Sequence, residues 1–86
     1  MRVTVPSPLH DYTEGRAAIE GEGETLAALL DDLDRRHPGL RFRVVDEQGR
    51  IRPHIRFFVN RQAATRLDQR LAASDELLIV AALSGG

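Results

Sequence analysis

Cysteine is absent from the 86 residues, and so is lysine. The first absence removes disulfides, thiolate catalysis and cysteine-based zinc sites together. The second means that all twelve basic residues are arginine. No side-chain amine is present for acylation, Schiff-base chemistry or isopeptide attachment, which leaves the N-terminal amine as the only acyl acceptor. Long apolar runs are missing too. The longest, Leu77 to Leu83, is about a third of the ~20 residues that a membrane-spanning helix needs. No basic-then-apolar leader opens the chain, so no signal peptide is expected and the default address is cytoplasmic. An excess of either charge is lacking: thirteen acidic residues against twelve basic give a net charge of -1. That balance argues against nucleic acid as the main partner, although Arg41, Arg43, Arg50, Arg52 and Arg56 form a local basic cluster. What is present, 42% hydrophobic and 29% charged residues, is the composition of one small folded domain rather than a disordered chain.

The patterning predicts a two-layer α+β domain over residues 1–82. Met1 to Val5 alternates as a strand, with Val3 and Val5 on one face. A turn closes at Gly15. Arg16 to Glu20 reads as a second, weak strand with Ala18 and Ile19 as its buried candidates. Thr25 is placed to cap a helix that ends at His37-Pro38-Gly39. Leu26, Leu29, Leu30 and Leu33 make its apolar stripe, and Asp31, Asp32, Asp34, Arg35 and Arg36 its wet side. Leu40–Val45 reads as a third strand and residues 46–49 as a turn. Ile51–Asn60 reads as a fourth strand, split by Pro53, and Leu77–Ala82 as the last. Residues 61–74 read as a loop with one helical turn, anchored by Leu67 and Leu71. One amphipathic helix over one mixed sheet satisfies this order.

No catalytic centre is legible. His10, His37 and His54 lie far apart, with no HExxH or carboxylate set around them, so a metal site is not expected. Ser7, Ser74 and Ser84 lack a nucleophile-elbow context. Gly21-x-Gly23 has too few glycines for a phosphate loop and reads as a plain loop.

The informative feature is the end of the chain, read as a flexible tail over residues 83–86. Glycine costs the most backbone entropy to order and has no side chain to pack. Gly85 and Gly86 after a strand suit a tail that must thread a narrow channel. Leu83 to Gly86, extended, reach about 13 Å, enough to bring a carboxylate into another protein's active site. With a pKa of about 3.5 that carboxylate is ionised and a poor electrophile. It needs activation, most simply as an acyl-adenylate formed with ATP. The chain has no ATP-binding loop, so a partner must use the ATP, and no cofactor is expected on the chain itself.

Taken together, these segments resemble the MoaD/ThiS sulfur-carrier family, which shares the β-grasp fold of ubiquitin. Four stretches carry the resemblance: Thr25 to Leu30 on to His37-Pro38; Phe57-Phe58-Val59-Asn60, like the family's "xVN" strand end; Ser74 to Val80; and Ala82-Leu83-Ser84-Gly85-Gly86. Two features depart from the pattern. Ala81 or Ala82 stands where members often carry proline before the tail, and residues 41–54 are longer than in compact thiamine carriers. The second departure is similar to the longer carriers linked to cysteine biosynthesis or siderophore-type sulfur assembly.

The resemblance implies a β-grasp domain, with a mixed sheet of four to five strands on one main helix. It also implies a carrier that is not itself an enzyme. An adenylyltransferase resembling the ubiquitin-activating enzymes would adenylate Gly86, and a persulfide or sulfide source would convert it to a thiocarboxylate. A sulfur-accepting synthase would then take the sulfur for cysteine, molybdopterin, thiamine or another metabolite. Gly86 would hold the reacting carbonyl, Gly85 give clearance, and Ser84 and Leu83 line the channel. Strand alternation puts Phe58, Leu78 and Val80 on the face away from the helix, an apolar cluster suited to docking that partner. One alternative is a ubiquitin-like modifier joined through Gly86 to target amines. Another is an interaction domain in which Gly-Gly is incidental.

Overall fold

The computed structural model describes residues 1–82. Its sheet is built on a parallel pair, β1 (Arg2–Thr4) and β5 (Glu76–Ala81), at the centre. β2 (Ala18–Glu20) adds antiparallel to β1, β3 (Ile55–Val59) to β5, and β4 (Gln62–Ala64) to β3. The resulting order is β2-β1-β5-β3-β4. With α1 (Leu26–Arg36) packed on one face, this is the mixed five-stranded β-grasp arrangement that the resemblance implies. No helix among the described residues is long and apolar enough to cross a membrane.

α1 begins where its sequence predicts. The Thr25 hydroxyl accepts from Ala28 N–H at 3.1 Å. The next two orphan donors, on Leu26 and Ala27, give to the carbonyls of Gln69 and Leu67. The loop after β4 thus completes the helix start, and Leu67 and Leu71 pack on the core as the anchors predicted. Leu26, Leu29, Leu30 and Leu33 are buried against Val3, Phe57, Leu77 and Ile79. Gly21 and Gly23 form a loop, as read, and serve close approach. A Cβ on Gly23 would lie 2.7 Å from Ala28 C and Leu29 Cα, so only glycine lets the chain pass over the helix there.

Four sequence readings are corrected. Leu40–Val44 is a short helix, α2, not a strand. The alternation of Leu40, Phe42 and Val44 suggests period two, but the buried pair is Leu40 and Val44, spaced i,i+4, while Phe42 is 53% exposed. Gly39 turns the chain at φ 94°, and the Asp34 carboxylate accepts from Gly39 and Arg41 N–H to start α2. Residues 61–74 are not all loop: Asn60 and Arg61, both at positive φ, make a two-residue hairpin into β4. Asp32 is not on the wet side. It is buried, accepts from Glu22 N–H at 2.8 Å, and pairs with Arg35 and Arg36. These contacts, Glu22 foremost, hold its carboxyl below the ordinary value although burial opposes them. In β2 only Ile19 is buried; Ala18 faces outward. Smaller differences are a 3-10 helix over Ser7–Tyr12 ahead of the turn at Gly15, and a fourth strand confined to Ile55–Val59.

Candidate docking face and tail root

The outer face of the sheet is set by strand register. Phe58 on β3 lies directly opposite Leu78 on β5, and Leu78 is also level with Thr4 on β1. The same row continues through Ala63 on β4 and Ala18 on β2. Ala18, Thr4, Leu78, Phe58 and Ala63 therefore form an uncharged line across all five strands. Leu78 is 42% exposed and Phe58 half-buried, so the row presents apolar area that the described residues leave uncovered. The inner residues of the same strands, Ile55, Phe57, Val59, Leu77 and Ile79, are buried, as alternation predicts. Val80 is half-buried one register step further on, opposite Arg56. Phe58, Leu78 and Val80 thus share the face that the sequence assigned them.

A concavity of about 600 Å³ lies at this face, walled by Phe58, Leu78, Thr4, Asn60, Arg61 and Glu76. Its rim is fixed by Asn60. The Asn60 amide donates to the Asp75 carboxylate at 2.7 Å, while its side-chain oxygen accepts from Glu76 N–H at 2.9 Å. Asp75 also accepts from Ala72 N–H, and that bond, followed by the one from Asn60, holds its carboxyl below the ordinary value. The hairpin turn and the start of β5 are thereby stapled together beside Phe58 and Leu78. Asn60 and Arg61 join this face without being among the site residues that the sequence predicts. The strand-end "VN" was a signal for Asn60, whereas Arg61 carries none.

β5 then leads toward the tail. Ile55 is level with Ala81, and Ala82 N–H donates to His54 C=O at 2.7 Å, so the root of the tail is pinned to the start of β3. Leu83, Ser84, Gly85 and Gly86, the remaining predicted site residues, lie outside the described residues. The Phe58–Leu78 row is about 13 Å from this root, four strand residues at ~3.3 Å each.

The histidines do not converge. His10 is half-buried with its ring Nε2 2.9 Å from Val5 O, His37 closes α1, and His54 is exposed. Among the described residues, no group of three or more His, Asp or Glu is gathered as a metal centre. The N-terminus of α1, satisfied by Thr25, Leu67 and Gln69, has no free donors aimed at a phosphate. Among the described residues the geometry shows a partly exposed apolar row on the outer face of the sheet and a central strand that ends at Ala81.

Known proteins share this fold. The ThiS family model matches residues 3–86. The sulfur carrier protein CysO of Mycobacterium tuberculosis is 27% identical over 89 residues, covering 98% of this chain and 96% of that protein. Small archaeal modifier protein 1 of Haloferax volcanii is 37% identical over 71 residues, 83% of this chain and 79% of its own. A chain of the Amycolatopsis orientalis BexX/CysO complex superposes with a TM-score of 0.90 at 30% identity, over 99% of this chain and 98% of that one. Mycobacterium tuberculosis CysO gives 0.89 at 25% identity, over 95% and 98%. With its topology and these matches in agreement, the chain belongs to the ThiS family of ubiquitin-like β-grasp proteins, nearer the CysO-type carriers.

Proposed function

We propose that this protein is a sulfur carrier that works through the carboxylate of Gly86. The observation that carries the reading is a match to a sulfur-carrier family that runs through Gly86, on a fold whose last strand ends beside an uncovered apolar sheet face. In the first step a carboxylate oxygen of Gly86 attacks the α-phosphorus of ATP on a partner adenylyltransferase, and pyrophosphate leaves. In the second, a sulfide nucleophile adds to the acyl carbon and AMP leaves, which gives the thiocarboxylate. In the third, the thiocarboxylate sulfur attacks an electrophilic carbon of the acceptor on a downstream synthase, the leaving group on that carbon departs with the bonding electron pair, and the new C–S bond makes a thioester. Water cleaves that thioester, restores the Gly86 carboxylate and leaves the sulfur on the acceptor.

The chain's own residues supply recognition and delivery. Phe58, Leu78 and Val80 bind the partner, Leu83 and Ser84 contact its channel, and Gly85 clears the narrowest point. The crystallised BexX/CysO complex supports a carrier of this shape binding a second protein. ATP is used on the partner, and the cytoplasm, where ATP is plentiful, is the expected place of work. The test is ATP–pyrophosphate exchange by the adenylating partner. The full chain should support exchange, and a chain lacking Gly85 and Gly86 should not. Equal exchange with both chains would overturn the reading.

The similarity to small archaeal modifier protein 1 favours one second reading, conjugation of Gly86 to target amines. It shares the acyl-adenylate and differs in the nucleophile. Covalent adducts to larger proteins, in place of a thiocarboxylate, would select it.

A further inference from the structure

A second concavity, about 630 Å³, opens at the tail end of β5, away from the Phe58–Leu78 row. Leu9, Phe42, Arg43, Arg52 and His54 wall it, and Ala82 forms its edge. Phe42 is the more exposed of the two exposed large apolar side chains among the described residues. Leu40 and Val44 take the buried positions of α2, which turns the Phe42 ring outward. Arg52 then holds it there. Its guanidinium stacks 4.6 Å from the ring centroid, and its Nε donates to Phe42 C=O at 2.7 Å. Arg43 sits 5.8 Å over the Tyr12 ring. An aromatic ring propped open by a stacked cation is a preformed contact surface rather than a collapsed one.

The charges are sorted in the same direction. Of the arginines clustered between residues 41 and 56, Arg41 pairs with Asp31 and Arg50 with Asp46. Arg43, Arg52 and Arg56 make no ion pair among the described residues; Arg56 gives to the carbonyls of Pro53 and Ile55, whereas Arg43 and Arg52 line the groove, and no carboxylate does. Arg52 commits one N–H to Phe42 and keeps the rest of its donor fork for an incoming anion. A chain with a net charge of -1 thus places two guanidiniums without a direct ion pair among the described residues around an exposed aromatic ring beside Ala82. The tail beyond Ala82 is four residues long, about 13 Å when extended. Any protein that takes Gly86 into a channel must bring the channel mouth within about 13 Å of Ala82, which edges this groove.

We propose that the groove is a second docking site, for an acidic and apolar segment at the channel mouth of the protein that adenylates the tail. A carboxylate of that segment pairs with Arg52 and Arg43, and an apolar side chain beside it packs on Phe42 and Leu9. The site rests on the carrier reading and names where the partner grips the tail root. Two free guanidiniums flanked by Phe42 and Leu9 fit a mixed peptide surface better than a run of phosphates.

The test measures ATP–pyrophosphate exchange by the adenylating partner as a function of carrier concentration, for full-length wild type, Arg52→Glu, Arg52→Lys and Phe42→Ala. Thermal unfolding of each chain checks that it folds. Arg52→Glu should raise KM about tenfold or more, with the loss in KM rather than in kcat. Phe42→Ala should raise it several-fold, and Arg52→Lys should recover part of the loss. Added sodium chloride should raise the wild-type KM and leave that of Arg52→Glu nearly flat. If folded Arg52→Glu and Phe42→Ala both keep the wild-type KM, the second site is overturned while the carrier reading stands. If wild type supports no exchange, the carrier reading falls and the site with it. Binding of a labelled single-stranded oligonucleotide that Arg52→Glu abolishes, with KM for exchange unchanged, would reassign the groove to nucleic acid and overturn the proposal.

Discussion

The side-chain amide of Asn60 donates to the Asp75 carboxylate at 2.7 Å, across a separation of fifteen residues. With the bonds between Asn60 and the Glu76 backbone, it ties the β3–β4 hairpin turn to the start of β5. Those are the two segments that carry Phe58 and Leu78. Asn60 also holds a φ of 49°, which asparagine tolerates better than most residues.

Replacement of Asn60 separates these roles. Asn60→Ala should lower stability by about 1–2 kcal/mol, since it loses the staple and strains the turn. Asn60→Gly keeps the turn geometry and loses only the staple, so its cost should be smaller. Urea unfolding of the two variants checks the order. Equal stability of Asn60→Ala and wild type would mean that the staple contributes nothing.

Phe58→Asp and Leu78→Asp place a charge in the uncharged outer row without touching the core. Each should cost less than about 1.5 kcal/mol of stability, because neither residue is among the buried core and surface substitutions are usually mild. Each should abolish partner-dependent adenylation. Normal ATP–pyrophosphate exchange by the partner with either variant would count against this face as a docking surface.

Gly23→Ala tests the close approach to α1. The added methyl would meet the backbone of Ala28 and Leu29, which cannot move without breaking the first turn of the helix. A loss of about 2 kcal/mol or more is expected. Gly49→Ala meets open space and should cost only about 1 kcal/mol, from its φ of 78°. Thermal denaturation of the pair checks the ranking; similar losses would refute the contact.

Acid should weaken the fold through its bonded carboxylates. Asp32 and Asp75 are both held below their ordinary value of 3.8, Asp32 chiefly by Glu22 N–H and Asp75 by Ala72 N–H. A carboxyl lowered in the folded state contributes stability that is complete above its ordinary value and is lost as pH falls through its folded one. Stability should therefore be level near neutrality and decline progressively as the pH drops below about 4 to 5. Denaturant midpoints across that range should fall less steeply in Asp32→Asn than in wild type. An unchanged slope would assign the acid response to other groups.

The sequence is most legible where local rules point the same way. The leucine stripe of α1 and the Thr25 cap were sufficient to place the helix, because burial and capping agree there. Strand alternation placed Phe58, Leu78 and Val80 outward, because the inner face is fully covered. Leu40–Val44 failed because a short apolar run fits period two and an i,i+4 pair equally well. The side-chain cap from Asp34 that decides for helix is six residues upstream of Leu40. β4 failed because its turn, Asn60-Arg61, lacks the glycine that marks such hairpins, and Arg61 adopts a φ of 73° regardless. Asp32 was misplaced because helical periodicity cannot foresee the Glu22 amide that it receives. The groove at Phe42 and Arg52 was hidden by the same error that made α2 a strand.

The most direct measurement is the intact mass of the protein isolated from its own cells under non-reducing, thiol-free conditions. The expected species has one oxygen of the Gly86 carboxylate replaced by sulfur, localised to the terminal peptide by fragmentation and lost when Gly86 is deleted. A chain that carries only the carboxylate while its adenylating partner is present and active, with sulfide supplied, would refute the carrier role.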